Sequence, residues 1–160
     1  MIFGLRRPPL SVIRLLRQDR AQACARLHSQ GFAHPWSPEE IAALIASSST
    51  VGAAALDPVS GRLRGFVLSR LAADEAEILS IAIDAAYRGR GLSRDLLLTH
   101  LGHLAGRGIR TTFLEVEENN RPARALYQRA GFSVVGRRER YYRQASGEQL
   151  NALLMRRDLS

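Results

Sequence analysis

The sequence predicts one α/β domain built on a mixed β-sheet. Its 160 residues correspond to the usual size of a single domain. Segments with the apolar spacing of strands and of helices follow one another in the order β-α-α-β-β-β-α-β-α-β-β, without an internal repeat. The segment 75–83 has apolar residues on both faces, with Ile78, Ser80 and Ala82 on one of them. Such a strand lies in the middle of a sheet that helices cover on both sides.

Local signals define the elements in the first half of the chain. Asp19 stands where it can cap the first helix, and Gly31 breaks that helical pattern. The clearest helix start is at Ser37, which is followed by Pro38 at the first helical position and Glu40 at the third. The predicted elements are strands at 11–15, 50–56, 62–72 and 75–83, helices at 19–28 and 38–47, and a turn at 57–61.

The second half of the chain begins with a loop at residues 88–94 that leads into a helix. This helix carries Leu97, Leu101 and Leu104 at i, i+4 and i+7, which is the spacing of a buried helical face. Gly131 is expected to end the last helix, at the position where glycine commonly follows a helix. The predicted elements are helices at 92–105 and 122–130 and strands at 111–116, 133–140 and 150–156.

The composition excludes several kinds of chemistry. All 23 basic residues are arginine, and the net charge is +8. The absence of lysine excludes a Walker-type phosphate loop, a Schiff base and a catalytic lysine. Cys24 is the only cysteine, which excludes an intrachain disulfide and a cysteine-ligated zinc site. Since no apolar run approaches the roughly 20 residues that span a membrane, we expect a cytoplasmic protein, with a short arm at 1–10 and one domain at 11–160.

The loop at residues 88–94 is the strongest functional signal. Gly89 and Gly91 flank Arg90 directly after the central strand and at the start of a helix. Glycines there allow main-chain N–H groups to approach an anion, which the helix dipole also attracts. The dinucleotide motif Gly-x-Gly-x-x-Gly is not met, because position 94 is arginine. The loop and the net charge indicate an anionic ligand, although compositional bias alone also produces a basic chain.

The segment from Arg88 to Ser93 resembles the pyrophosphate loop of the GNAT superfamily of N-acetyltransferases, whose pattern is Gln/Arg-x-x-Gly-x-Gly/Ala. Arg88 and Gly91 match this pattern, and Ser93 departs from it. Because serine is small and keeps its main-chain N–H, we expect binding to persist. The other segments that resemble the bacterial ribosomal-protein alanine N-acetyltransferases of this superfamily are Ala33-His34-Pro35-Trp36-Ser37, residues 74–84, Leu114-Glu115-Val116, Asn120, Ala125-Leu126-Tyr127, Gly131-Phe132, and Arg138 with Tyr141 and Tyr142.

The resemblance implies a single GNAT-type domain. Its mixed, mostly antiparallel twisted sheet of about seven strands is expected to be splayed between strands 4 and 5 and to carry about four helices. The implied activity is acetyl-CoA-dependent transfer of acetyl to the N-terminal amine of a ribosomal protein, alanine favoured, directly within a ternary complex. The alternatives are another acceptor (a different protein N-terminus, a lysine side chain or a small amine) and a non-catalytic module that binds nucleotide or RNA.

The resemblance also implies catalytic roles. Glu115 matches the general base that takes a proton from the acceptor amine, and Glu77 on the adjacent strand is its rival. Tyr127 matches the acid that protonates the departing coenzyme A sulfur. A main-chain N–H near Ile83, where the family's fourth strand carries a bulge, is expected to hold the thioester oxygen.

The expected binding residues follow from the same resemblance. Main-chain groups of Ile81 and Ile83 pair with the pantetheine arm, and arginines neutralise the phosphates. Trp36, Tyr141 and Tyr142 are candidates for the walls of the peptide groove, although Trp36 could equally be a buried anchor. The residues expected to bind acetyl-CoA are Ile81, Ala82, Ile83, Arg88, Gly89, Arg90, Gly91, Leu92, Ser93, Arg94 and Asn120.

The other polar residues have simpler interpretations. His100 and His103 are three residues apart on a helix, but no carboxylate nearby completes a metal site, and no metal is predicted. Cys24 is expected to be a small core residue. Glu117 and Glu118 are expected to be solvated or to guide a cationic peptide. The remaining arginines, with Arg137, Arg138, Arg140 and Arg143 around the tyrosine pair, could dock the protein near ribosomal RNA or be a solvated face.

Overall fold

The computed structural model describes residues 11–143 and 149–159, so the predicted arm at 1–10 lies outside it. Within that part, seven strands form one sheet in the order β1-β2-β3-β4-β5-β7-β6, in which β4 and β5 are parallel and all other neighbours antiparallel. The elements are β1 (Val12–Leu15), α1 (Ala21–Gly31), α2 (Pro38–Ala46), β2 (Thr50–Leu56), β3 (Leu63–Ala72), β4 (Glu75–Ile83), α3 (Leu92–Gly106), β5 (Thr111–Glu117), α4 (Arg121–Arg129), β6 (Ser133–Arg143) and β7 (Gln149–Asp158). The predicted fold class and order of elements are confirmed.

Helices pack on both faces of the sheet, and the alternation of side chains along β3 shows how. Phe66 and Leu68 belong to a buried cluster with α1 and α2, whereas Val67 between them belongs to a second cluster with α3 and α4. The leucines predicted to form the buried face of α3 all lie in this second cluster. The core therefore has two layers, one on each side of the sheet.

The starts of the first two helices agree with the sequence to different degrees. Ser37 caps α2 as predicted, because its Oγ accepts a hydrogen bond from the Glu40 N–H at 3.1 Å. The predicted cap at Asp19 is wrong. Residues Gln18–Arg20 form a turn of 3-10 helix, and α1 begins only at Ala21, with no side chain capping it. This 3-10 turn lies between β1 and α1, and Asp19 is its middle residue instead of the N-cap of α1.

The central strand β4 contains a β-bulge that changes which residues share a face. Leu68 of β3 pairs with Ser80, whereas the next residue, Ser69, pairs with Ile78, so Leu79 is the extra residue. Ile78 consequently packs in the same cluster as Ile83, while Ala82 packs in the other. The prediction that Ile78 and Ala82 share a face is wrong for this reason. The bulge expected near Ile83 is four residues earlier in the strand, at Leu79.

The sheet opens between β4 and β5, as predicted. Their parallel pairing ends at Ile78 and Leu114, although β4 continues to Ile83 and β5 to Glu117. Beyond this point the facing edges of the two strands are separated by a gap. The gap is the feature around which the candidate site is built.

A buried hydrogen bond connects α3 to β3. Ser69 Oγ and His100 Nε2 are 2.7 Å apart, and both residues are fully buried. Burial, together with the nearby His103, lowers the pKa of His100 from 6.5 to about 4. Among the described residues, no three His, Cys, Asp or Glu side chains are grouped so that they could hold a metal ion. Within the same residues, no helix is long and apolar enough to cross a membrane.

The lowered pKa of His100 predicts a loss of stability in acid. The unfolded chain takes up this proton near pH 6.5 and the folded chain only near pH 4, so the unfolded state binds more protons between these values. We expect His100 to lower the free energy of unfolding by about 3 kcal/mol as the pH falls through this range. His100→Gln retains an amide for Ser69 but does not titrate, and should show a smaller pH dependence in urea unfolding. Equal pH dependence in both proteins would contradict this account.

Candidate active site

The gap between β4 and β5 is a cleft of about 780 Å³ that passes through the sheet. Its walls come from both helical layers. On the side of α1 and α2 the lining residues are Leu27, Gly31, Phe32, Ala33 and His34. On the side of α3 and α4 they are Leu92, Ser93, Pro122, Ala123, Leu126 and Tyr127. Residues from both sides of the sheet therefore contribute to one cleft.

One end of the cleft is suited to phosphate groups. Gly89 and Gly91 have positive φ angles of 75° and 79°, and Gly91 is the N-cap of the 15-residue helix α3. This conformation turns the main chain at the N-terminus of α3, where unpaired N–H groups and the helix dipole attract anions. Arg88 and Ser93 line the cleft beside it. The loop predicted from the sequence is thus assembled at the cleft.

Gly91→Ala tests the conformation of this loop. An alanine Cβ meets no atom within 4 Å, so the expected cost comes from the left-handed backbone and is about 1–2 kcal/mol. If the loop relaxes to relieve this strain, its N–H groups move, and the Kd for acetyl-CoA should rise by up to about tenfold. Gly102→Ala is the matched control, because Gly102 lies within α3 and also has open space around it. Calorimetry should show the loss of affinity only for Gly91→Ala; an equal Kd in both variants would contradict the prediction.

The arginines of the loop are held in different ways. Arg88 donates from Nε to the Ile83 carbonyl at 3.3 Å and lines the cleft. The Arg90 guanidinium lies 5.6 Å from the centre of the Tyr87 ring, and that of Arg64 lies 4.3 Å from the same ring.

Of the residues predicted to bind acetyl-CoA, Ile81, Ala82, Ile83, Arg88, Gly89, Leu92, Ser93 and Asn120 line the cleft, whereas Arg90, Gly91 and Arg94 lie outside its lining.

Glu115 reaches the cleft from β5. Its neighbours Leu114 and Val116 are buried in the cluster with α3 and α4, so Glu115 points to the opposite face of the sheet. The side chain is 18% exposed, and its Oε1 is 3.3 Å from Nη2 of Arg138. The rival carboxylate, Glu77, lines a second pocket of about 330 Å³ that also includes Glu115 and Arg138, but it does not line the cleft. The geometry thus favours Glu115 over Glu77 as the carboxylate at the site.

Tyr127 reaches the cleft from the other side of the sheet. It lies on α4, is 8% exposed and makes an edge-on ring contact with Phe132 at 6.0 Å. Both Glu115 and Tyr127 line the cleft, so a carboxylate and a phenol face the gap from opposite sides of the sheet.

The polar residues after β5 mainly fix the start of α4. Asn120 lines the cleft and caps α4, because its Oδ1 accepts a hydrogen bond from the Ala123 N–H at 3.2 Å. Glu118 accepts hydrogen bonds from Asn151 at 2.8 Å and Arg137 at 3.2 Å, which hold its pKa below the usual value. Glu118 therefore links the loop to β6 and β7, and of the two glutamates Glu117 lines the cleft whereas Glu118 does not.

The arginines considered for RNA binding are partly engaged in ion pairs. Arg137 pairs with Glu118, and Arg138 pairs with Glu115. Arg140 and Arg143 belong to β6, but their side chains are outside the described part of the structure.

The residues predicted to bind the acceptor differ in what the structure shows of them. Trp36 is half-buried and packs beside α1 and α2, outside the residues that line the cleft, which supports the anchor interpretation. Tyr141 and Tyr142 lie on β6, but their side chains are outside the described residues. Phe32 and His34 line the cleft and were not singled out from the sequence, because an irregular loop gives no periodicity that shows which side chains turn inward.

Cys24 is a core residue, as predicted. It is fully buried between α1 and its neighbours, and this burial raises the pKa of its thiol to about 12. It also lies outside the cleft lining.

Comparison with known proteins gives a consistent result. The sequence pattern of the acetyltransferase (GNAT) family matches residues 17–132. The chain is 39% identical over 158 residues to the N-alpha-acetyltransferase RimI of Mycobacterium tuberculosis, with 94% of this chain and 93% of the relative covered. It is 30% identical to the [ribosomal protein bS18]-alanine N-acetyltransferase of Escherichia coli, with 91% and 96% covered. The crystal structure of the ribosomal-protein-S18-alanine N-acetyltransferase from Escherichia coli superimposes with a TM-score of 0.86 at 29% identity, with 94% of each chain covered.

Proposed function

Because this chain belongs to the acetyltransferase (GNAT) family and is an acetyl-CoA-dependent N-acetyltransferase, we propose that it acetylates the N-terminal amine of a ribosomal protein, alanine favoured. The acceptor class is that of the Escherichia coli relative named for ribosomal protein bS18. Such an acceptor is made in the cytoplasm, which is also the location that the sequence predicts for the enzyme. The observation that carries the proposal is the cleft through the sheet, with Glu115 and Tyr127 facing it from opposite sides.

Acetyl-CoA is the acyl donor, and the cleft fits it. The glycine-rich loop at the N-terminus of α3 and the side chain of Arg88 are suited to its phosphates. Strand β4 beyond Ile78 lacks β5 as a partner, so its main chain is available to pair with the pantetheine arm. The thioester then lies between Glu115 and Tyr127, near the centre of the sheet.

Glu115 supplies the base that the amine requires. An α-amino group has a pKa of about 8 and is largely protonated at neutral pH, so a proton must be removed before the nitrogen can attack. Glu115 faces the side of α1 and α2, from which the peptide approaches the gap. The Arg138 guanidinium at 3.3 Å fixes one carboxylate oxygen and leaves the other to accept the proton, directly or through a water.

Two groups stabilise the negative charges that develop during the transfer, one on the departing sulfur and one on the thioester oxygen. The Tyr127 hydroxyl can donate its proton to the departing sulfur from the side of α4. The bulge lies at Leu79, so we assign the oxyanion donor to a main-chain N–H at that bulge and not near Ile83. Leu79 and Ser80 both line the cleft.

Direct transfer within a ternary complex is favoured over an acyl-enzyme. The chain has one cysteine, and its thiol is buried, outside the cleft lining and held protonated by its raised pKa. A cleft that opens to both faces of the sheet allows donor and acceptor to be bound together.

Release of free thiol from acetyl-CoA in the presence of peptides tests the proposal. The panel holds ribosomal-protein N-terminal peptides that begin with alanine, the same peptides with another first residue, and peptides whose α-amine is blocked but which contain lysine. We expect release with the alanine peptides and none with the blocked peptides. Release only with lysine peptides or small amines would replace the proposed acceptor. No release with any acceptor, together with salt-sensitive RNA binding, would favour the non-catalytic alternative.

A further inference from the structure

We propose that His28 is the positioning residue that holds the loop between α1 and α2 against the cleft and thereby sets the affinity for the acceptor. This inference rests on the proposed function. His28 belongs to α1, is 2% exposed and lies outside the cleft lining, so it acts through the loop and not on the substrate.

A stack of three rings joins His28 to both ends of the loop. The Phe32 ring lies 4.0 Å from the imidazole with 1° between the planes, and the Trp36 ring lies 4.7 Å from it with 10° between the planes. One imidazole face has room for one ring, so Phe32 and Trp36 occupy opposite faces. The centre of the Phe66 ring of β3 lies 6.5 Å from that of the imidazole, so the stack packs against a buried core residue.

A hydrogen bond fixes the same loop through its main chain. The Trp36 N–H donates to His28 Nδ1 at 3.0 Å, so Nδ1 carries no proton and the imidazole is neutral. Burial lowers the pKa of His28, which preserves this state, whereas Glu40 on α2 opposes the shift. Through this hydrogen bond, a buried side chain restrains the backbone of a segment that belongs to no helix or strand.

The held segment forms the acceptor side of the site. Phe32, Ala33 and His34 line the cleft on the side of α1 and α2, which is also the side that Glu115 faces. A peptide whose amine reaches Glu115 through the cleft from this side passes these residues. Release of the loop should therefore weaken acceptor binding and leave the phosphate-binding end of the cleft, on the side of α3, unchanged.

Two amide variants separate the hydrogen bond from the stacking. In His28→Asn the amide oxygen takes the position of Nδ1 and can accept the Trp36 N–H, whereas in His28→Gln the amide lies near the position of Nε2. Both variants lose the aromatic ring. We expect His28→Gln to raise the KM for the acceptor peptide by about tenfold, the equivalent of one lost hydrogen bond. His28→Asn should recover most of this loss, with kcat and the Kd for acetyl-CoA little changed in both. Equal KM values in the two variants, or a parallel loss of acetyl-CoA affinity, would overturn the proposal.

Trp36 offers a readout that does not depend on activity, because it is the only tryptophan in the chain. Its emission should shift to longer wavelength in both variants, because both lose the stacked ring, and the shift should be larger in His28→Gln, which also loses the hydrogen bond. Exchange of its amide hydrogen should be faster only in His28→Gln. If no peptide is acetylated, the proposed function fails, and these measurements still decide whether His28 holds the loop. If His28→Gln does not fold, exchange in the unaltered protein decides: the proposal requires the Trp36 amide to be far better protected than that of the exposed His34.

Discussion

Glu115→Gln should lower kcat by roughly 10²–10⁴-fold, the usual contribution of a general base, while the Kd for acetyl-CoA stays unchanged. Glutamine has the size of glutamate but cannot accept the amine proton at neutral pH. The fold should tolerate the change, since the ion pair that is lost joins Glu115 to an Arg138 side chain that is 61% exposed. Such pairs contribute at most about 1 kcal/mol to stability. Steady-state thiol release and calorimetric titration with acetyl-CoA measure the two effects separately.

Glu77→Gln is the matched control for this prediction. Glu77 lies on the neighbouring strand and shares the second pocket with Glu115, but it does not line the cleft. We expect it to keep nearly full activity. If Glu77→Gln loses kcat and Glu115→Gln keeps it, the base is Glu77, and the peptide amine must approach through the second pocket.

The sequence predicts those parts of the fold that depend on local patterns. Leu97, Leu101 and Leu104 identify the buried face of α3, because their spacing matches one face of a helix. Ser37 and Pro38 determine the start of α2 through local hydrogen bonding and a fixed φ. The glycine-rich loop likewise carries its conformational requirement in its own residues, since a positive φ favours glycine.

Features that depend on pairing between distant segments were not predictable in the same way. The bulge at Leu79 results from the register of β4 against β3, and both faces of β4 carry apolar residues, so the sequence suits either register. The engagement of Glu118 requires Asn151 and Arg137, which come from two later strands. The role of Trp36 depends on a histidine eight residues earlier on another element. In each case the sequence shows the chemical type of the residue but does not show which distant residue it contacts.

Tyr127→Phe should reduce kcat by about 10²-fold or more, the lower end of the usual contribution of a general acid. The binding of acetyl-CoA should not be weakened. The departing thiolate needs a proton, and the Tyr127 hydroxyl is the phenol that α4 presents to the gap. Phenylalanine keeps the ring and its edge-on contact with Phe132, so the packing of α4 is retained. We expect the free energy of unfolding to change by no more than about 1.5 kcal/mol, the net contribution of one hydrogen bond.

Tyr87→Phe separates this effect from the general loss of a hydroxyl in the cleft. Tyr87 also lines the cleft, but its ring lies beside the guanidinium groups of Arg64 and Arg90, an interaction that phenylalanine keeps. We expect its kcat to be close to that of the unaltered enzyme. If Tyr127→Phe also turns over at the normal rate, the sulfur departs without a proton from Tyr127, and the catalytic role reduces to Glu115 and the main-chain N–H at the bulge. A loss of kcat confined to Tyr127→Phe, with acetyl-CoA bound as before, would identify the phenol as the acid on the donor side of the sheet.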